Sequence, residues 1–209
     1  RRGELDAVVK AILLDPEARN APANANAGKL GEPVLRLTRV WRAYGATSPS
    51  GKLNVQNIPG FIGQGPLQAP SVFNFFSPFY APPGEILDQG LVAPEMQLAT
   101  EYLNSLITNY FFILSFCYND APVQGCPAVP PEIAQDLVII DTSAERALAA
   151  DPQALVSRIA DKLAGGSISA TLRAQAVAMV QAVPASETSL RVAEAHYLIS
   201  TSPELALQR

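Results

Sequence analysis

The sequence predicts an all-α fold, an irregular bundle of about seven or eight helices with one long ordered loop rich in proline and aromatic residues. Apolar residues recur at three- and four-residue spacing in most segments, which is the helical period. Helix starts are marked by Asp-Pro and Ser-Pro pairs, and one helix end by Gly-Gly. With 209 residues and 48% hydrophobic content, the chain has enough apolar side chains for one core, so we expect a single domain over residues 1–209.

The first segment, RRGELDAVVKAILLD, begins inside an amphipathic helix. Its apolar stripe consists of Leu5, Val8, Val9, Ile12 and Leu13. Because the stripe starts at the chain terminus without an initiating Met, we expect the chain to be the C-terminal portion of a longer protein, whose N-terminal half covers part of this surface. A second helix follows at once, because Asp15 can cap it and Pro16 suits the first helical position.

The remaining helices are predicted in order from their apolar spacing and their caps. The best marked begins with Asp151 and Pro152 and ends at Gly165 and Gly166. Leu137 to Ile140 is expected to be an extended connector, since no partner strand is visible. The predicted helical ranges are 32–44, 94–116, 143–149, 152–164, 170–182 and 187–200, with a last helix starting at Ser202-Pro203-Glu204.

Two irregular stretches, 20–31 and 45–93, interrupt the helices, and the second is far longer than an ordinary connection. It contains SVFNFFSPFYAPPG, residues 71–84, which we name the proline-aromatic loop. Five aromatic rings, three prolines and no charge in this loop favour an ordered element that packs on the helices or binds a ligand. We expect Phe73 and Phe76 to be buried, with the alternative that every ring is core.

The rest of the proline-aromatic loop predicts a recognition surface. Phe79 and Tyr80 are expected at the surface, where neighbouring prolines restrict the backbone and lower the entropy cost of binding. Asn74 and Ser77 are expected to tie the turn through side-chain hydrogen bonds to the backbone. An uncharged aromatic surface suits a sugar ring, or a proline-rich or aromatic segment of a partner, better than a charged ligand.

Cys117 and Cys126 are the two cysteines of the chain, and they flank the turn-rich segment YNDAPVQG. Their spacing is too wide for a CxxC motif, and a single histidine leaves no zinc ligand set, so we predict no metal site. The spacing favours a disulfide that closes the loop, and a pair of buried thiols is the alternative.

Net charge and the length of the apolar runs argue against nucleic-acid binding and against a membrane-spanning segment. A net charge of −4 argues against nucleic acid, because phosphate binding needs a concentrated positive field. The longest apolar run, YFFILSFCY, is too short to span a bilayer, so the chain is not expected to cross a membrane.

Three arginines form the main candidate for anion binding. Arg36, Arg39 and Arg42 follow one another at three-residue spacing on a predicted helix, so their guanidinium groups can approach each other and hold a carboxylate or sulfate. The simpler interpretation, a solvated face opposite Val34, Leu37 and Trp41, is favoured.

Other candidate residues favour structure over catalysis. His196 lies between Val192 and Ile199 at helical spacing, and no GxSxG motif supplies a nucleophile, so a structural histidine is favoured over a general base. Glu95 and Glu101 are six residues apart and do not share a helix face. GFIGQG lacks the strand and helix that give phosphate-binding glycines their meaning. We therefore predict no catalytic residue and no cofactor.

Five segments together resemble the DUF1800 family of bacterial proteins: AVVKAILLDPEAR, GKLGEPVLRLTRVWRAYG, PLQAPSVFNFFSPFYAPPG, GLVAPEMQLATE and YLISTSPELALQ. The likeness covers essentially the whole chain and corresponds to the C-terminal half of the family. It implies an exported protein, in the periplasm, on the cell surface or outside the cell, often encoded beside a DUF1501-type protein. The family brings no established catalytic residues.

These observations predict a non-enzymatic binding or scaffolding module that acts with a DUF1501-type partner or a glycan. Two alternatives stay open at this point. In the first, the chain is the C-terminal half of a hydrolase or carbohydrate-active enzyme whose catalytic groups lie upstream. In the second, it is a structural subunit of a cell-surface assembly.

Overall fold

The computed structural model describes residues 2–20, 28–53 and 58–208. Within these residues the fold is all-α, as predicted, but it has twelve α-helices where seven or eight were expected. In chain order the elements are α1 (Leu5–Leu14), α2 (Pro16–Arg19), β1 (Lys29–Leu30), α3 (Pro33–Ala43), α4 (Pro59–Ile62), α5 (Glu85–Asp88), a 3₁₀ helix (Pro94–Leu98), α6 (Glu101–Phe116), α7 (Pro131–Ala134), α8 (Ser143–Arg146), α9 (Pro152–Ala164), α10 (Ala170–Ala182), α11 (Thr188–Thr201), α12 (Pro203–Ala206) and β2 (Leu207–Gln208).

The additional helices are single turns, and the sequence gives little periodic signal for so short an element. α4, α5 and α7 each contain four residues, and each lies in a stretch that we predicted to be irregular or left unassigned. The irregular stretch 20–31 lies mostly outside the described residues, as do residues 54–57 of the second stretch.

The capped helices form where the caps predict them. The Asp151 carboxylate accepts the backbone N–H groups of Gln153 and Ala154, at 3.0 and 3.1 Å, and Gly165 ends α9 in the left-handed conformation with φ +57°. The Ser169 hydroxyl accepts the N–H of Leu172 at 3.1 Å at the start of α10. These contacts satisfy amide groups that have no partner within the helix.

The predicted single helix over 94–116 is wrong, because the chain forms two helices there. The 3₁₀ helix ends at Leu98, and Thr100 is extended, with ψ 155°. The Thr100 hydroxyl accepts the N–H of Leu103 at 3.2 Å and so caps a new helix, α6. The hydrogen bond to the Thr100 side chain thus interrupts the helix, although the apolar pattern continues across this position.

The core lies where α3, α6, α9, α10 and α11 pack together. α11 contacts α6, α9 and α10, so its two faces are both covered, and seven of its residues are buried. The connector over 137–140 is extended, as predicted, and is fixed by backbone bridges from Ile139 to Thr47 and from Ile140 to Asn119. β1 and β2 pair antiparallel and bring the last described residues beside the start of α3.

α1 differs from the other long helices because none of its residues is buried. Every apolar side chain of the predicted stripe is more than half exposed. An ion pair between Lys10 and Asp6, at 2.9 Å, lies on the flank of this stripe. The helix predicted from the apolar spacing is present, and its apolar face has no cover within the described residues.

Candidate functional site

The proline-aromatic loop is more exposed than its composition predicts. Val72, Phe73 and Phe79 are 94%, 77% and 83% exposed. The prediction that Phe73 is buried is therefore wrong, and so is the alternative that every ring is core. Phe76 and Tyr80 are half-buried. Burial depends on contacts with distant parts of the chain, and a ring-rich loop contains no local signal for which ring makes them.

Backbone and side-chain hydrogen bonds hold the loop in a defined shape. The Ser77 hydroxyl accepts the N–H of Phe79 at 3.4 Å, as expected for a residue that ties the turn. The N–H of Ser77 donates to the side-chain carbonyl of Gln97 in the 3₁₀ helix at 2.8 Å, and the N–H of Ala93 donates to the carbonyl of Tyr80 at 2.9 Å. The loop is thus attached to the segment that precedes α6.

Two residues in this region hold a backbone conformation that favours glycine. Asn74 has φ +74° and Leu67 has φ +60°. Asparagine tolerates this region, whereas a leucine there is uncommon and costs about 1–2 kcal/mol. The Leu67 side chain is wholly exposed, so packing in the described structure does not compensate for its backbone conformation.

The three arginines of α3 do not form one exposed cluster. Arg36 is half-buried, and its guanidinium lies 5.8 Å from the centre of the Phe111 ring. Burial, and secondarily the charge of Arg39, lower the pKa of Arg36. Arg39 donates to the carbonyl of Leu205 at 3.4 Å, and Arg42 is exposed. Anion binding by these residues stays a prediction, with Arg36 and Arg39 as the closer pair.

Cys117 and Cys126 form a disulfide, as predicted, with Cα atoms 5.6 Å apart. The bond closes the loop after α6. The side-chain carbonyl of Asn119 accepts the N–H of Ala121 at 2.9 Å, and its amide donates to the carbonyl of Ser115 at 2.8 Å, so the loop is also tied from inside.

An ion pair that sequence reasoning missed attaches the disulfide loop to α8. Arg146 contacts both carboxylate oxygens of Asp120, at 2.8 and 2.6 Å. Thr142 donates to the same carboxylate through its N–H and its hydroxyl. The bond from Arg146 is the main reason that the pKa of Asp120 lies well below its usual range. The partners are 26 residues apart, so no local pattern marks them.

His196 lies in the core, as expected of a structural histidine, and Ser115 is its hydrogen-bond partner. The Ser115 hydroxyl donates to the carbonyl of Phe111 at 2.7 Å and lies 2.7 Å from His196 Nδ1. Because a hydroxyl has one proton to donate, Nδ1 carries the proton and donates to Ser115. Burial, with a smaller effect from the Lys162 charge, lowers the pKa of His196 to about 4.

A buried acid on α8 extends this polar cluster toward the surface. Glu145 is fully buried and contacts Lys162 at 2.9 Å and Arg158 at 3.3 Å. The Lys162 ammonium lies 4.3 Å from the centre of the Tyr44 ring, and that ring meets His196 edge to face at 4.9 Å. Two cations around one buried carboxylate compensate its desolvation. Glu145 and His196 themselves are buried, so their contacts with one another's neighbours are structural.

The two candidate acids, Glu95 and Glu101, lie in different elements. Glu95 is buried in the first turn of the 3₁₀ helix, and Glu101 is exposed at the start of α6. Among the described residues, no group of three or more His, Cys, Asp or Glu side chains is placed to hold a metal ion. No helix in the described part of the chain is both long and apolar enough to cross a membrane.

Comparison with known families assigns nearly the whole chain to one family. The model of "Protein of unknown function (DUF1800)" matches residues 1–207. The chain belongs to the DUF1800 family. No match was found among the curated proteins or the solved structures. The resemblance carried by the proline-aromatic loop and the capped helices is thereby confirmed, and this DUF1800 chain contains both in a helical fold.

Proposed function

We propose that this chain is a non-enzymatic binding or scaffolding module and that the proline-aromatic loop is its recognition surface. The observation that carries the proposal is the exposure of Val72, Phe73 and Phe79 on a loop whose backbone is held by hydrogen bonds. No charged residue occurs between Lys52 and Glu85. A fixed, uncharged apolar surface of this kind is typical of an interaction site.

The energetics of the loop support the same proposal. Covering one exposed phenylalanine side chain contributes about 1.5–3 kcal/mol, so Phe73 and Phe79 together supply a useful part of a binding free energy. Pro78, Pro82 and Pro83 restrict the backbone before binding, which reduces the entropy lost on association. Leu67, which precedes the loop in the sequence, is a further exposed apolar side chain.

The chemistry of the loop selects among ligand classes. Aromatic rings without neighbouring charges stack on the apolar face of a sugar, or on proline and aromatic side chains of a protein segment. The DUF1501-type protein that resemblance associates with this family is the protein partner we propose, and a glycan is the alternative ligand. Phe79 and Tyr80 remain the proposed contact residues, to which the exposure of Phe73 adds a third.

The exposed stripe of α1 supports a second contact. We propose that an N-terminal half of the same protein covers the apolar face of α1, since every side chain of the stripe is more than half exposed. The two surfaces would then have different roles, because one holds the halves of the protein together and the other binds the external partner.

The disulfide supports export. Disulfides persist in oxidising compartments and are rare in the cytosol, so Cys117–Cys126 is compatible with the periplasm, the cell surface or the extracellular space. A cell-fractionation experiment with an antibody against the chain checks this location, and recovery in the cytosolic fraction alone would contradict it.

The binding proposal is tested with a double variant, F73A together with F79A. Both side chains are exposed and contribute little to the core, so we expect the melting temperature to stay within about 2 °C of the parent value. Co-purification with the DUF1501-type protein, expressed from the same cells, should fall at least about tenfold. Binding to a panel of soluble oligosaccharides is measured in parallel for the glycan.

The matched control is Y102A, which removes an aromatic ring of similar exposure from α6, outside the loop. We expect Y102A to bind as the parent protein does. Equal binding by the parent and by the double variant, for both the protein and the glycans, rejects the loop as the recognition surface. A melting temperature lowered by many degrees in the double variant would instead assign the rings a structural role.

A further inference from the structure

A large pocket lies apart from the proline-aromatic loop and is lined by α3, the end of α9, the start of α10, α12 and β2. It has a volume of about 990 Å³, at the upper end of the range of about 300–1,000 Å³ that is typical of sites for organic ligands. We name it the Arg39 pocket after the arginine in its wall. The apolar residues of the wall, which can accept a hydrocarbon body, are Leu163, Ala164, Ile168, Pro203, Leu205 and Leu207.

Arg39 is the one cation among the described residues of this wall. Its side chain is half-buried, and it makes a single long hydrogen bond within the described structure, from Nη1 to the carbonyl of Leu205 at 3.4 Å. A guanidinium has five N–H donors, so most of them stay available. Arg36 lies one turn earlier on α3, and no carboxylate of the described residues forms an ion pair with either arginine. The two charges therefore give this end of the pocket a positive potential.

The carboxylate in the described wall, Glu204, is already engaged with another part of the fold. One of its oxygens accepts the N–H of Ser169 at 2.7 Å, and the other accepts the Ser169 hydroxyl proton. Ser169 caps α10, so the Glu204 charge lies at the positive end of a helix of 13 residues. The helix thus compensates Glu204, whereas Arg39 has no compensating acid among the described residues.

We propose that the Arg39 pocket binds an organic carboxylate with an aliphatic body. A guanidinium binds a carboxylate through two parallel N–H···O bonds, which are stronger than hydrogen bonds between neutral groups. The side-chain amide of Gln208, in the same wall, offers further N–H donors. The apolar residues of the wall cover the hydrocarbon part of the same molecule and remove it from water.

Charge and size argue against the other ligand classes. A cation would be repelled by the guanidinium groups of Arg39 and Arg36. A compact anion such as sulfate would fill a small part of about 990 Å³ and would leave the apolar wall in contact with water. A neutral apolar molecule would cover Arg39 without pairing its charge, which is unfavourable. An aliphatic carboxylate has both properties that the wall requires, an apolar body and one negative charge.

Two sources supply this chemistry, a free aliphatic acid and the C-terminal carboxylate of a peptide. Octanoate represents the first, and octanamide is its neutral isostere. N-acetyl-leucyl-leucine represents the second, and acetate has the charge without the aliphatic body. Binding is measured on the full chain by isothermal titration calorimetry and by methyl signals in NMR spectra. The methyl groups of Ile168, in the wall, and of Ile12, on the exposed stripe of α1, distinguish the pocket from that stripe.

We expect octanoate to bind saturably with a dissociation constant on the order of 1 mM, octanamide at least about fivefold more weakly, and acetate at least about tenfold more weakly. The Ile168 methyl signals should shift along the same titration curve. R39Q removes the charge and should weaken octanoate by about fivefold without changing the affinity for octanamide. S167W adds a large ring at an exposed position of the wall, keeps Arg39, and should weaken both ligands.

The matched control is R42Q, which removes an exposed arginine of α3 outside the pocket wall, and it should bind octanoate as the parent does. Tighter binding of N-acetyl-leucyl-leucine than of octanoate assigns the pocket to a peptide C-terminus, and the reverse assigns it to a free aliphatic acid.

Equal affinity of the parent for octanoate and octanamide overturns the proposal. So does octanoate binding by both R39Q and S167W as tight as that of the parent, the absence of saturable binding by both carboxylate probes, or a shift of the Ile12 signals without a shift at Ile168. Loss of loop binding in F73A/F79A has no bearing on these results, because those side chains are not part of the pocket wall.

Discussion

A buried histidine with one hydrogen-bond partner makes the stability of the core depend on pH. The pKa of His196 is about 4 in the folded chain and about 6.5 in the unfolded chain, so the unfolded chain binds the proton more readily. The stabilisation is complete above pH 6.5 and is lost as the pH falls toward 4. We expect the free energy of unfolding to fall by up to about 3 kcal/mol over this range from His196 alone.

Urea unfolding at pH 7.0, 5.5 and 4.5 measures this effect, and H196Q is the comparison because it keeps a polar side chain that does not titrate. H196Q should be less stable than the parent at pH 7.0, and its stability should change less between pH 7.0 and 4.5. Parallel pH profiles for the two proteins would show that His196 does not titrate on unfolding.

The disulfide makes a second contribution, also at the residue scale, to the stability of the fold. Closing the loop between Cys117 and Cys126 restricts the unfolded chain and should stabilise the fold by about 2–3 kcal/mol. C117S together with C126S should lower the melting temperature by about 5–10 °C. The parent protein in reducing buffer is the control and should lose a similar amount. Two alkylated thiols in the unreduced parent would contradict the bond itself.

Sequence reasoning reached some of these residues and missed others for a physical reason. The cysteine pair is recognisable because both partners lie in one short loop. Ser115 is 81 residues from His196, and their contact depends on how α6 and α11 pack. The exposure of Phe73 was missed for the same reason, because burial depends on how distant parts of the chain pack together.

At the scale of elements, α1 is the one helix of ten or more described residues that buries none of them. None of its residues is buried, and isolated helices of about ten residues are marginal in water. We therefore expect its amide protons to exchange far faster than those of α11, by at least about a hundredfold in native-state hydrogen exchange. α11 is the internal reference, because seven of its residues are buried. Similar protection in both helices would mean that α1 is covered in solution.

The elements also show which sequence signals are sufficient to predict the bounds of a helix or strand. α9 and α10 have the predicted bounds because their caps and apolar spacing are local, as with Asp151 and Gly165. The break at Thr100 was missed because the apolar period continues across it, and only the backbone conformation distinguishes a cap from a helical threonine. β1 and β2 were missed because two-residue strands have no periodicity and pair across most of the chain.

At the scale of the whole molecule, apolar surface is distributed unevenly. The core around α11 is well filled, whereas α1 and the proline-aromatic loop together leave many large apolar side chains exposed. Exposed patches of this kind mark interaction sites in functional proteins and cause association when the partner is missing. The same property thus connects the proposed contacts with the behaviour of the isolated chain.

The isolated chain should therefore bind a hydrophobic dye and self-associate at micromolar concentration, and the apolar stripe of α1 should be a main cause. V9K together with I12E places two charges within the stripe and should reduce both dye fluorescence and the apparent mass in light scattering. A7K together with A11E is the control, because these positions lie on the opposite side of the helix and carry the same pair of charges. If an N-terminal half of the protein covers the stripe, as proposed, adding that half should reduce dye binding to the parent, as the V9K/I12E substitutions do. A monodisperse parent that does not bind the dye, or equal effects of the two double variants, would contradict the role of the stripe.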